Sequence, residues 1–311
     1  MKDRLVTLIG GGGFLGRYVA QALLATGARV RVAQRDPRAA WFLKPLGGLG
    51  QTQFVAADVT RPETIDRAVE GADGVVNLVG SFAGDLQRIH VDGARAVAAA
   101  AAAGGVAALV HVSAIGADAG SPARYASTKG AGEEAVRGAF PMATILRPAT
   151  VFGREDQFIN RFAGMIARLP VVPVLRAGAR FQPVFVGDVA AAVAAAVAAP
   201  GRFGGHVYEL GGPDVLTMMA LHRWIAHAIA RDPAFVALPD GVGQAIAALG
   251  FLPGAPISAD QWKLLQRDTV VAPDALGLGA LGVAPTPLAA VAPGWLVRFR
   301  RAGRFATVAA A

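Results

Sequence analysis

Apolar and polar positions follow two different periods along the first half of the chain. Short apolar runs at Leu5–Ile9 and at residues 29–33, 53–56, 74–78, 107–112 and 144–146 read as strands. Between them, residues 14–25, a stretch from about 62 through Ile65 and Val69, and residues 86–103 and 123–139 return apolar side chains at the helical spacing, and the first of these stops at Gly27. Strands separated by helices of this length predict βαβ units. Right-handed crossovers then give an α/β fold with a doubly wound parallel sheet.

After Arg147-Pro148 the pattern changes. Helices are expected over residues 158–168, 189–199, 218–230 and 259–267, strand and turn over 171–182, and a strand over 206–210. This predicts a nucleotide-binding domain over residues 1–150, a smaller and partly interleaved C-terminal lobe over 151–294, and a basic tail over 295–311. Two uncharged stretches resemble membrane spans in hydropathy alone. Residues 96–117 are broken by Gly104-Gly105 and contain His111 and Ser113, and residues 275–297 contain Pro285, Pro287 and Pro293. Both read as segments packed on protein. The N-terminal residues turn glycine-rich too early for the apolar core of a signal peptide.

Composition removes several chemistries. With no cysteine, the chain forms no disulfide, offers no thiolate nucleophile and ligates neither a thiolate zinc site nor an iron–sulfur cluster. The net charge of +8 suggests an anionic cofactor, surface or partner. Aromatic residues are few and not interleaved with basic ones, so a nucleic-acid partner is not expected. His222 and His227 lack a helical metal-ligand spacing, and no metal is expected. Glu155-Asp156 reads as a helix start rather than an acid/base pair.

The strongest local signal is Gly10-x-x-Gly13-x-x-Gly16, which follows the first strand and opens the first helix. Such a loop lets the backbone approach a pyrophosphate, while the helix N-terminus supplies N–H donors and a positive dipole. The fold is therefore read as Rossmann-type. The second strand ends Gln34-Arg35-Asp36. Arg35, with Arg17 just past the third glycine, could meet a 2′-phosphate and select NADP(H). The alternatives are a pair of solvated arginines, or an NAD role for Asp36, which stands one or two places late. Asp58, after the third strand, could bond the adenine amine or simply cap a loop.

This order of elements resembles the extended, or atypical, branch of the short-chain dehydrogenase/reductase superfamily, which carries the same glycine spacing and a Tyr-x-x-x-Lys pair. Here the pair is Tyr125-Ala126-Ser127-Thr128-Lys129, placed on one face of an expected helix. A neighbouring ammonium would favour the phenolate and let Tyr125 exchange protons near neutral pH. The resemblance implies that Lys129 also holds the nicotinamide ribose and that Ser113 orients a carbonyl. One departure is His90, in His90-Val91-Asp92-Gly93, where relatives often have asparagine.

A narrower resemblance lies in the run Leu146–Ala163, which contains Phe152-Gly153-Arg154-Glu155-Asp156-Gln157-Phe158-Ile159-Asn160. It is supported by Asn77-Leu78-Val79-Gly80, by residues 181–190 and by residues 258–268. These segments are similar to the nucleotide-binding accessory subunits of respiratory complex I, NADH:ubiquinone oxidoreductase. The resemblance implies an NADPH held structurally, and it extends the expected nucleotide contacts to Phe14, Leu15, Val59, Val79, Gly80, Arg147 and Pro148. It further implies other complex I subunits as partners. The absence of a transit-like leader points to a bacterial version, peripheral on the cytoplasmic side of the inner membrane. In the tail, Arg298, Arg300, Arg301 and Arg304 alternate with Trp295, Leu296, Phe299 and Phe305, a pattern suited to an anionic membrane surface. The alternative function is a free-standing NADP-dependent oxidoreductase or epimerase using Ser113, Tyr125 and Lys129.

Overall fold

A computed structural model describes residues 1–252, 257–301 and 303–305. The chain divides into two compact units. The first comprises Met1–Pro148, Val186–Leu210 and Val271–Ala284; the second comprises Ala149–Phe185, Gly211–Val270 and Pro285–Ala311. After residue 148 the chain alternates between the units, because two later segments return to complete the first.

In the first unit, β1 (Leu5–Ile9), β2 (Arg29–Gln34), β3 (Thr52–Ala56), β4 (Gly74–Asn77), β5 (Ala108–Val112), β6 (Thr144–Pro148) and β7 (Val207–Leu210) form one sheet in the order β7-β6-β5-β4-β1-β2-β3. Every neighbouring pair is parallel. The order steps outward in both directions from β1 and β4, which makes the sheet doubly wound as expected. Strands β1, β4 and β5 are buried along their whole length, because helices cover both faces. Helices α1 (Phe14–Ala25) and α5 (Val186–Ala198) pack beside each other, while α2 (Pro62–Val69), α3 (Gly93–Ala103) and α4 (Arg124–Ala139) form the other layer.

Three local differences from the sequence reading have physical reasons. Strand β6 runs to Pro148, beyond residue 146, because β7 pairs it from Ile145 to Pro148. The expected helix over 86–103 is divided into a π-type turn at Gln87–Asp92 and α3. A 3-10 segment at Pro37–Leu46, not foreseen, is started by Asp36, whose carboxylate accepts from Arg38 N–H at 3.0 Å, and is anchored by buried Ala40 and Leu43.

The second unit has its own core. Phe152, Ile159, Ile166, Leu221, Ile225, Leu288 and Leu296 are buried together, with Trp295 and Phe299 packed against them. The diagnostic Phe-Gly-Arg-Glu-Asp run is a structural knot. The Asp156 carboxylate accepts from the N–H groups of Gly153, Phe158, Ile159 and Asn160, and Asn160 Nδ2 donates back to the carbonyls of Arg154 and Asp156. Asp156 thus serves the start of the helix Ile159–Arg168, as its position predicts. His222 is buried against Phe162 and bonds the Met218 carbonyl, so it is a packing residue.

The tail requires a correction. Trp295, Leu296 and Phe299 face the core of their own unit and do not present an aromatic face to a membrane, whereas Phe305 is exposed. Arg300 donates to the carbonyl of Ala228 at 2.9 and 3.1 Å, where it satisfies the C-terminal end of the helix Met218–Ala228. Arg298 and Arg301 are exposed, and the side chain of Arg304 lies outside the described part of the chain. No helix among the described residues is long and apolar enough to cross a membrane.

Candidate nucleotide site

The glycine loop joins β1 to α1 at the carboxyl edge of the sheet. Gly10 N–H donates to the Ala33 carbonyl at 2.8 Å, which ties the loop to the end of β2. Gly10 has φ +79°, a conformation that disfavours any side chain, and a Cβ there would crowd Val79. A Cβ on Gly16 would collide with the Gly11 carbonyl, so Gly16 allows α1 to lie against the loop. Gly13 is different. A Cβ there would meet only the Gly10 carbonyl, at an ordinary 3.5 Å, so this side of the loop is open. Gly13 is the N-cap, and the first-turn N–H groups of Phe14, Leu15 and Gly16 have no helical acceptor four residues back. Open backbone, bare N–H groups and a helix dipole fit a diphosphate.

Beside the loop, the end of β2 carries the residues expected at an adenosine ribose. The Gln34 side chain sits against Gly12, leaving no room for a Cβ there, and its Nε2 donates to the Asp36 carbonyl at 2.6 Å. Arg35 is exposed at the end of β2. The Arg17 guanidinium lies over the Phe42 ring, 4.4 Å from its centroid. Asp36 uses its carboxylate as a cap on the following segment, so its position is explained without a ribose. Asp58 accepts from the N–H and hydroxyl of Thr60, and these bonds hold its carboxyl below the usual carboxylate range, with Arg35 adding to the pull. Asp58 therefore acts at least as a loop cap. Sequence reasoning misses Gln34 and Phe42. Gln34 is legible as the last residue of the strand before Arg35, but the Phe42 contact needs the unforeseen 3-10 segment.

The residues expected at a nicotinamide lie at the ends of β4 and β5 and on α4. Ser113 follows β5, and its N–H donates to the Leu146 carbonyl at 2.7 Å. Its Oγ is buried and has no hydrogen-bond partner among the described residues, an unusual state for a buried hydroxyl and one that suits a ligand acceptor. Lys129 is buried and donates to the carbonyls of Val79 and Val112 at 3.2 and 3.1 Å. Gly80 lies against Lys129 Nζ and keeps that approach open. Burial lowers the Lys129 ammonium to about 8, and Glu133 pulls it back upward. Val59 packs against Gly93 where the loop after β3 meets α3.

Two expectations change here. Burial pushes the Tyr125 phenol up to about 12, and the ammonium of Lys129, engaged with two carbonyls, does not offset it. The phenolate is thus not favoured near neutral pH in this state. Arg147, expected at the nucleotide, instead grips buried Glu133 through Nε and Nη2 at 2.9 and 2.8 Å, and its Nη1 lies 3.6 Å from Glu209. It braces α4 against β6 and β7. The Pro148 carbonyl accepts from Ile115 N–H.

His90, the residue in place of asparagine, is buried. Its Nε2 accepts from Ser81 N–H at 3.1 Å. Its Nδ1 meets Thr128 Oγ1 at 2.9 Å, and that hydroxyl donates onward to the Arg124 carbonyl, so Nδ1 carries the proton. Burial lowers its imidazole to about 4, with the Lys129 charge adding to the effect. His90 is neutral, and both nitrogens are committed to holding structure. His111 Nδ1 meets Asn77 Nδ2 at 3.2 Å, and burial lowers its imidazole to about 3.

Residues 6–211 match the NAD dependent epimerase/dehydratase family. The chain belongs to that family. It is 35% identical over 320 residues to the mitochondrial NADH dehydrogenase [ubiquinone] 1 alpha subcomplex subunit 9 of Arabidopsis thaliana, a match covering 96% of this chain and 79% of the relative. The chain is thus a homologue of that complex I accessory subunit. It is also 34% identical over 243 residues to the ceramide reductase of Caulobacter vibrioides, covering 76% of this chain and 74% of the relative. In fold it is similar to an NADPH-dependent quinone oxidoreductase from Escherichia coli, with TM-score 0.76 and 23% identity, covering 94% of this chain and 99% of the other.

Proposed function

We propose that this chain is an NADPH-binding accessory or assembly subunit of a bacterial respiratory complex I, with the nucleotide held structurally. The observation that carries the reading is the likeness to the mitochondrial subunit over nearly the whole chain. Gly10, Gly13, Phe14, Leu15 and Gly16 would hold the diphosphate, Arg17 and Arg35 a 2′-phosphate, and Asp58 and Val59 the adenine. Val79, Gly80, Ser113, Tyr125, Lys129 and Pro148 would face the nicotinamide half. Both nitrogens of His90 are occupied, by Ser81 N–H and the Thr128 hydroxyl, which leaves no proton relay through this position and supports holding rather than turnover. Partners are other complex I subunits at the cytoplasmic face of the inner membrane, with exposed Arg298 and Arg301 available to an acidic neighbour. Pull-down from detergent-solubilised membranes, with mass spectrometry of partners and chromatography of the released nucleotide, tests both parts. Recovery of the chain alone, with no quinone-reducing complex, would overturn the assembly reading.

A second reading is favoured by the preserved Ser113, Tyr125 and Lys129 and by the likeness to a ceramide reductase. In it the chain is a free-standing NADP-dependent oxidoreductase or epimerase, with a ceramide-type lipid as a candidate substrate. Bound nucleotide would supply hydride. Ser113 would orient the carbonyl and Tyr125 would pass the proton. Tyr125→Phe separates the readings: an accessory subunit leaves NADH:quinone activity of the assembled complex unchanged, whereas a reductase loses on the order of 10²–10⁴ in rate.

A further inference from the structure

Phe82 is an exposed aromatic with no core to explain its place, being 62% accessible. It stacks on the Tyr125 ring, with centroids 4.2 Å apart and planes 17° from parallel. His90 stands perpendicular to the same ring at 5.4 Å. The segment carrying Phe82 is a fixed turn. Ser81 Oγ donates to the Ala83 carbonyl and accepts from Ala83 N–H, at 2.8 and 3.1 Å. Gly84 takes φ +87°, and the Asp85 carboxylate accepts from Arg88 N–H. The link from this turn to the buried layer is Ser81 N–H donating to His90 Nε2, and His90 is in turn held by Thr128, one turn along α4 from Tyr125.

We propose that residues 80–85 form a cover that controls access to Tyr125, with Phe82 as the covering group and His90 as the positioning residue that holds it down. The geometry accounts for a phenol ring that is half-buried although the ring stacked on it, Phe82, is in solvent. It also explains the histidine at the asparagine position, because its acceptor nitrogen fixes the loop. His90, from the turn before α3, stands edge-on to the phenol ring, and Lys129 lies one turn further along α4. The His90 imidazole is neutral, and the Lys129 ammonium is engaged with the carbonyls of Val79 and Val112. The inference rests on Tyr125 belonging to the nucleotide site proposed above, but the cover can be tested without nucleotide or complex.

Tetranitromethane nitrates the phenolate, and the chain has three tyrosines, Tyr18, Tyr125 and Tyr208, which peptide mapping separates. Full-length Phe82→Ala should nitrate Tyr125 severalfold faster than wild type, because the stacked ring no longer blocks the reagent's approach, with Tyr18 and Tyr208 unchanged. Phe82→Trp, which keeps an aromatic over the ring, should stay near wild type. His90→Ala should raise the Tyr125 rate with Phe82 intact, and His90→Gln, which can still accept from Ser81 N–H, should restore it. Equal Tyr125 nitration in wild type and Phe82→Ala overturns the cover. A faster Phe82→Ala beside an unchanged His90→Ala overturns the role of His90. Failure of the chain to join a respiratory complex would sink the accessory reading while leaving these rates as they stand.

Discussion

Arg17 and Phe42 form a cation–π pair beside the glycine loop, the guanidinium carbon 4.4 Å from the ring centroid. Phe42 is adjacent to buried Leu43, so the ring has a fixed backbone to stand on. The pair holds Arg17 on the side of the loop where β2 ends and Arg35 begins. If Arg17 meets a 2′-phosphate, Arg17→Ala should weaken NADPH by roughly 10-fold or more, as for a hydrogen bond to a charged group, and leave NADH affinity unaltered. Phe42→Ala should weaken NADPH by only about two- to fivefold, the scale of an exposed cation–π contact. Titration calorimetry with both nucleotides checks this. A wild-type chain that binds NADH as tightly as NADPH contradicts the assignment of both arginines.

The glycines separate a folding role from a binding role. Gly16→Ala places a Cβ on the Gly11 backbone, so the loop must move and the fold should lose about 1–3 kcal/mol. Gly13→Val adds bulk on the open side, so the free protein should unfold near the wild-type temperature and gain nothing from NADPH. Thermal unfolding with and without nucleotide reads both. A Gly13→Val chain stabilised by NADPH as much as wild type would show that the diphosphate lies elsewhere.

Lys129 predicts a direction of pH dependence. Its folded pKa is lowered to about 8 by burial, so between that value and its ordinary value the unfolded chain binds more protons than the folded one. Stability from this group therefore rises from about pH 8 toward the unfolded lysine value, and below pH 8 its burial penalty is constant. The full effect is on the order of 3 kcal/mol. Lys129→Met lacks the titration. Denaturant unfolding at pH 8 and pH 10 should show wild type gaining on Lys129→Met, and parallel curves would show that the ammonium is not desolvated.

The C-terminal segment is predicted to be structural before it is anything else. Leu296 is fully buried in the second unit, so Leu296→Ala should cost about 2–5 kcal/mol. Exposed Arg301→Ala should leave stability within about 0.5 kcal/mol. Removing residues 295–311 should lower the unfolding temperature of the second unit, so poor retention of such a truncation in a complex does not by itself identify an anchor. An unaltered melt after truncation would show that the packing of Trp295, Leu296 and Phe299 is dispensable.

The doubly wound sheet is legible in the sequence because strands β1, β4 and β5 are largely apolar and the helices between them carry a clean helical period. The glycine loop is legible because steric need writes itself as glycine, at Gly10 and Gly16 above all. Arg147 misleads, because a basic residue at a strand end looks the same whether it faces a phosphate or a buried Glu133 fourteen positions earlier. The tail misleads for a related reason. Alternating arginine and aromatic residues describe an amphipathic segment but not what its apolar side rests on. The spacing places Tyr125 correctly on α4, yet the ring stacked on it comes from the loop carrying Phe82, whose turn is held by bonds that leave little trace in hydropathy.

The brace from Glu133 through Arg147 to Glu209 also has a consequence for how the molecule is made. Glu209 is on β7, and its carboxylate in turn accepts from Ala272 N–H. Helix α4, which carries Tyr125 and Lys129, is therefore steadied by a strand that leaves the ribosome well after β6, and by a segment later still. A nascent chain that ends with β6 has the glycine loop and the tyrosine but lacks the far end of this brace. Until β7 arrives, the carboxylate of Glu133 has an arginine partner in Arg147 that itself lacks its last acidic partner, Glu209.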